Sequence, residues 1–162
     1  METIHLLLAY ADRRASNLVE TAVLDVCYPR AAVQSTRTSR LDDFVRRGCL
    51  RDFDLIVVGA DDLSQGAEPG TLASADEVAK CIEMVREQHS TPIIALTSSV
   101  NCGESLLQAG ADVVLPLPLN PEQLKSELRV LLDVNEFVEG HETSHWHGLG
   151  SILRGFERAE SS

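Results

Sequence analysis

Hydroxyls and carboxylates make up most of the reactive chemistry in this sequence. Thr97, Ser98 and Ser99 form a run of three hydroxyls directly after the apolar stretch 92–96. Clustered hydroxyls can hold a small anion, but a hydroxyl also commonly ends a strand, and we expect the plainer role. Asp12 lies just past Tyr10 and Ala11. A carboxylate there can bind a metal ion or cap a helix, and the helix dipole favours the cap. Asp61 and Asp62 follow Gly59 in a stretch that reads as a solvated loop. His141, His145 and His147 flank Trp146 at a spacing that suits Zn²⁺ or Ni²⁺. No cysteine lies near them and the segment is polar, so we expect no metal there.

Other chemistries are missing. The four cysteines, Cys27, Cys49, Cys81 and Cys102, form no C-x-x-C pair, which excludes a zinc ribbon or a thioredoxin-type motif. They read as free thiols of a reducing cytoplasm. No nucleophile elbow, Walker loop or G-x-G-x-x-G is present. The glycines of the segment 66–70 belong to a turn in an acidic loop without lysine, not to a phosphate cradle.

The positioning scaffold must come from a chain of 162 residues, 44% hydrophobic and 24% charged. A chain of this size buries roughly 70% of its unfolded surface without staples. The net charge of −11 repels phosphate backbones and anionic lipid, so we expect neither nucleic acid nor membrane as a partner. No apolar run approaches the roughly 20 residues of a membrane span. The start of the chain lacks the basic region of a signal peptide, and we expect a cytoplasmic protein.

Apolar strands alternate with amphipathic helices along the chain. Strands are predicted over 4–9, 31–35, 54–58, 92–96 and 112–115. Helices are predicted over 12–27, 41–50, from Ser74, over 101–109 and from Pro121. Val19, Ala22, Val23 and Val26 form the first helical stripe. Ser74 and Glu77 form a capping box, Gly110 stops the fourth helix, and Pro121 opens the last. The run 55–58 is apolar on both faces, the habit of a parallel sheet. The order predicts an α/β, flavodoxin-like, doubly wound five-stranded parallel sheet, order 2-1-3-4-5, with helices on both faces. Ligand sites of such sheets lie at the carboxyl ends of the strands. Residues 1–138 are expected to form this domain. Residues 139–162 read as a flexible linker and a short helical tail, with Trp146, Leu153 and Phe156 available to dock.

Three segments resemble a response-regulator receiver domain. They are Asp54-Leu-Ile-Val-Val-Gly59, Pro92-Ile-Ile-Ala-Leu-Thr97-Ser98, and the run from Ala109 through Gly110, Asp112, Pro116, Pro118 and Pro121 to Leu124. The likeness covers about residues 3–135. It implies a phosphoryl-accepting pocket built from two adjacent acids that hold Mg²⁺, an acceptor aspartate, a hydroxyl and a lysine. The logic is charge neutralisation around the transferred group. In this sequence the acid pair falls on Tyr10 and Ala11, the acceptor on Gly59, the lysine on Leu117 and the aromatic switch on Val114. Thr97 alone retains the family's type. The Leu117–Pro118 bond matches one that is commonly cis in the family.

Nucleophile, cation site and counter-charge are thus all replaced. We expect a degenerate pseudo-receiver: a phosphorylation-independent signalling or interaction module, not an enzyme, without cofactor or metal. Asp12, Asp61 and Asp62 remain as displaced acids, the latter two as a shifted acceptor or an acidic mimic of a phosphorylated state. The resemblance implies a protein partner, or self-association, through the last two helices and last strand, with Leu107, Val114, Leu117 and Leu128 on that face. The alternative is a small-molecule or nucleotide-binding α/β protein that uses the strand-end pocket.

Overall fold

The computed structural model describes residues 2–27, 31–61, 63–65 and 72–132. Its elements follow in the order β1 (Glu2–Ala9), α1 (Arg13–Cys27), β2 (Ala31–Thr38), α2 (Leu41–Leu50), β3 (Leu55–Gly59), α3 (Ala75–Gln88), β4 (Ile93–Thr97), α4 (Val100–Ala109), β5 (Val113–Pro116) and α5 (Pro121–Leu131). The five strands form one sheet in the order β2-β1-β3-β4-β5, and every pairing is parallel. This is the expected doubly wound, flavodoxin-like architecture.

The sheet is covered on both faces because its strands carry apolar side chains both up and down. Every residue of β3 and β4 is buried. Leu7, Ile56, Val58, Ile93, Ala95 and Val114 point into one core layer, against Phe44, Val78, Ile82, Val85 and Leu106 of α2, α3 and α4. Their strand neighbours Leu6, Leu8, Leu55, Val57, Ile94, Leu96 and Leu115 point the other way, against Val19, Val23, Leu124 and Leu128 of α1 and α5. Successive strand residues alternate between faces, so each run feeds both layers.

Local signals set the helix ends. Asp12 accepts from the Arg14 backbone N–H at 2.9 Å and so caps α1. Ser74 and Glu77 close both halves of the capping box of α3. Asn120 accepts from the backbone N–H groups of Glu122 and Gln123, with Pro121 at the first position of α5. Gly110, at φ +123°, ends α4 in a region that L side chains rarely adopt.

One strand runs longer than its sequence pattern predicts. β2 continues past Ser35 to Thr38. As an edge strand it pairs only with β1, so its later polar residues can face solvent while the backbone ladder continues to Ala9↔Thr38. The Leu117–Pro118 bond is cis. The 139–162 tail, with its histidines, Trp146, Leu153 and Phe156, lies outside the described residues, as do Asp62, Pro29 and the segment 66–71. Among the described residues no helix is long and apolar enough to cross a membrane.

Candidate functional site

The parallel register brings the carboxyl ends of β1, β3, β4 and β5 to one edge of the sheet. Ala9 pairs with Val58, Gly59 with Leu96, and Thr97 with Pro116. Past the ladder, the Ala60 N–H donates to Leu96 O at 2.8 Å and the Leu117 N–H to Thr97 O at 3.0 Å. These two bonds fix where the chain leaves β3 and enters the turn after β5. Residues 60 and 61 are thereby held beside the end of β4.

Asp61 turns its carboxylate across this edge. Thr97 Oγ1 donates to Oδ1 at 3.0 Å. The Ser98 backbone N–H donates to Oδ2 at 2.7 Å, and Ser98 Oγ to the same oxygen at 2.8 Å. Thr97 is fully buried, and its hydroxyl also accepts from the Ser99 N–H at 3.1 Å. That second bond orients the hydroxyl proton toward Asp61. Three donors on one carboxylate form a closed, charge-assisted cluster. Hydrogen bonds to an ionised group contribute about 1.5–3 kcal/mol each.

The arrangement changes the reading of both halves. The stretch after Gly59 does not leave Asp61 as a solvated loop acid: it is half-buried and docked on β4. The hydroxyls of Thr97 and Ser98 are donated inward, so an external anion would have to displace Asp61. Sequence reasoning missed Ser98 as a partner of an acid. The available signal was an aspartate just past one strand end and adjacent hydroxyls at the next.

The remaining predicted positions fall as follows. Tyr10 is half-buried and packs on the α1/α5 layer, its N–H donating to Thr38 O at 3.0 Å. Ala11 is exposed, and Gly59 is buried inside β3. Leu117 is half-buried against the α1/α5 layer, and Leu107 touches both layers. Val114 and Leu128 differ from expectation. Both are fully buried, because each lies on a core-facing side of its element, and neither offers side-chain area to a partner.

Tyr10 and Ala11 follow the end of β1, Asp12 caps α1, and the Asp61 carboxylate accepts three bonds. Among the described residues no group of three His, Cys, Asp or Glu side chains could hold a metal ion.

A second polar cluster, at the opposite end of the sheet, also escapes a reading by motif. Arg86 of α3 donates to Thr91 O, Gly110 O and Asp112 Oδ2, the last at 2.6 Å. Asp112 in turn accepts from the Ile93 N–H at 2.8 Å. This cluster ties α3, β4 and the end of α4 together and has a structural role.

No protein-family model and no curated protein matches the chain. Solved structures do match. A protein from Chloroflexus aurantiacus named as a response regulator superposes with a TM-score of 0.61 at 16% identity, covering 82% of this chain and 99% of that one. The receiver domain of a sensor histidine kinase from Pseudomonas aeruginosa, with a magnesium ion coordinated in its active-site cleft, gives 0.58 at 20% identity, covering 81% and 98%. A protein from Burkholderia pseudomallei named as pilus assembly-related gives 0.58 at 21% identity, covering 81% and 90%. At these identities the likeness establishes the fold, shared by signalling receivers and a pilus-related protein alike.

Proposed function

We propose that this chain is a signalling module of the receiver type that works without phosphoryl transfer. Its task is to present a surface to a protein partner or a second copy. The surface is built on α4, β5 and α5, with Leu107 and Leu117 half-buried on it. The module acts in the cytoplasm, in keeping with four cysteines that are all free thiols.

One observation carries the reading. The strand-end hydroxyl that would meet a phosphoryl oxygen instead meets Asp61. A carboxylate offers two acceptor oxygens and one negative charge, and here it accepts from the donors of Thr97 and Ser98. The side chain therefore does in place what an arriving anion does in a working receiver. At the same time the groups needed to accept phosphorus are replaced by Tyr10, Ala11, Gly59 and Leu117. No cation and no lysine is left among the described residues of this edge to offset an added dianion.

The test is incubation of the chain with acetyl phosphate and Mg²⁺, followed by intact-mass measurement. The expected spectrum is that of the unmodified chain. A phosphoryl adduct on Asp12, Asp61 or Asp62 would overturn the proposal.

A further inference from the structure

On a chain of net charge −11, one groove is lined by cations without carboxylates. Thr36 of β2, Arg46, Arg47 and Leu50 of α2, and Arg51 and Phe53 of the connection to β3 enclose an open groove of about 320 Å³. It lies beside the edge strand and away from the carboxyl-end site. Three acids close to these residues in sequence have partners of their own. Asp43 accepts from both Arg46 and Arg47, Asp52 pairs with His89 at 2.6 Å, and Asp54 accepts from the His5 N–H. Arg46 and Arg47 still leave 65% and 43% of their side chains exposed, and each commits one of its five N–H donors to Asp43. The Arg51 guanidinium lies 5.4 Å from the centre of the Phe53 ring, a cation–π contact.

Apolar surface completes the groove. Leu50 is 80% exposed, the most exposed of the large apolar side chains among the described residues. An exposed leucine beside three guanidinium groups is the composition of a protein-docking patch: an apolar anchor ringed by charge that selects the partner. A free phosphate would use the arginines and leave Leu50 without a role.

We propose that this groove docks an acidic peptide segment of a partner protein. Its carboxylates engage Arg46, Arg47 and Arg51, and an apolar side chain covers Leu50. The site is independent of Asp61 and of the α4–β5–α5 surface.

The test is display selection of random peptides on the whole chain, with affinities of the recovered peptides measured against variants. Arg51→Glu and Leu50→Ser alter exposed side chains, and circular dichroism checks that both fold. Recovered peptides should be rich in Asp and Glu with a Leu or Phe. Their affinity should fall at least tenfold on each variant and weaken as salt rises. Failure to recover such peptides, or equal binding to wild type and variants, would overturn the proposal. So would competition by millimolar inorganic phosphate that is insensitive to Leu50→Ser, which would mark a phosphate site. Arg51-dependent self-association of the chain without peptide would also overturn it, the occupant then being a second copy.

Discussion

Asp61 Oδ1 stands 3.0 Å from Thr97 Oγ1, a side-chain bond that joins the loop after β3 to the end of β4. With the two Ser98 bonds it closes the carboxyl edge of the sheet. If this cluster stabilises the edge, Asp61→Ala should lower unfolding free energy by about 2–3 kcal/mol, since it also leaves a buried threonine hydroxyl without its acceptor. Asp61→Asn, which keeps one acceptor oxygen, should cost about 1 kcal/mol. Urea denaturation of Asp61→Ala, of Thr97→Val and of the protein carrying both completes a double-mutant cycle. The cycle should give a coupling of about 1 kcal/mol; additive losses would mean that the two groups do not act together.

A second prediction concerns acid. The Arg47 guanidinium, and after it Arg46, holds the Asp43 carboxyl well below the usual carboxylate range. A group with a depressed folded pKa contributes stability above its unfolded value, here 3.8, and that stability is lost as the pH falls through the folded value. The melting temperature of wild type should therefore exceed that of Asp43→Asn at neutral pH. The gap should close progressively below about pH 4. A gap that is constant between neutral and acid pH would contradict the assignment.

Much of this scaffold is legible in the order of the residues. The runs 55–58 and 93–96 are apolar without alternation, and the only way to bury both faces is between two helical layers. Ser74, Gly110 and Pro121 punctuate the helices through preferences that are local to each residue. Contacts between distant segments are not legible in this way. Thr97 and Asp61 are 36 residues apart, and only the pairing of β3 with β4 brings them together. The burial of Val114 and Leu128 likewise depends on which face each element turns to the sheet. The edge strand β2 outruns its pattern because its polar residues, Gln34 to Thr38, satisfy the ladder with backbone groups that sequence periodicity does not report.

Helix α2 crosses α3 closely, and Gly48 is the reason that it can. A Cβ built there would lie 2.9 Å from Val85 Cγ2 and 3.2 Å from its Cγ1. Alanine gains about 1 kcal/mol of helix propensity over glycine, but overpacking against a β-branched side chain costs about 1–3 kcal/mol. Gly48→Ala should thus be net destabilising, by about 1 kcal/mol. Combining it with Val85→Ala should cost less than the sum of the two single losses, as thermal denaturation would reveal. A stabilised Gly48→Ala protein would show that the helices are free to separate.

Arg86 provides a test of the other end of the sheet. Its planar guanidinium serves two carbonyls and Asp112 at once, a geometry that an ammonium cannot copy. Arg86→Ala should cost about 2–3 kcal/mol, and Arg86→Lys should recover less than half of that loss. Full recovery by lysine would reduce the cluster to a simple charge interaction.

The proposed function requires that Asp61 stand in the place of a phosphoryl group and that this edge accept neither phosphorus nor Mg²⁺. Beryllofluoride with Mg²⁺, followed by backbone amide spectra of the whole chain, tests it most directly. The amides of Gly59, Ala60, Thr97, Ser98 and Leu117 should stay where they are in buffer alone. A saturable, Mg²⁺-dependent shift of these amides would contradict the account and restore a working acceptor.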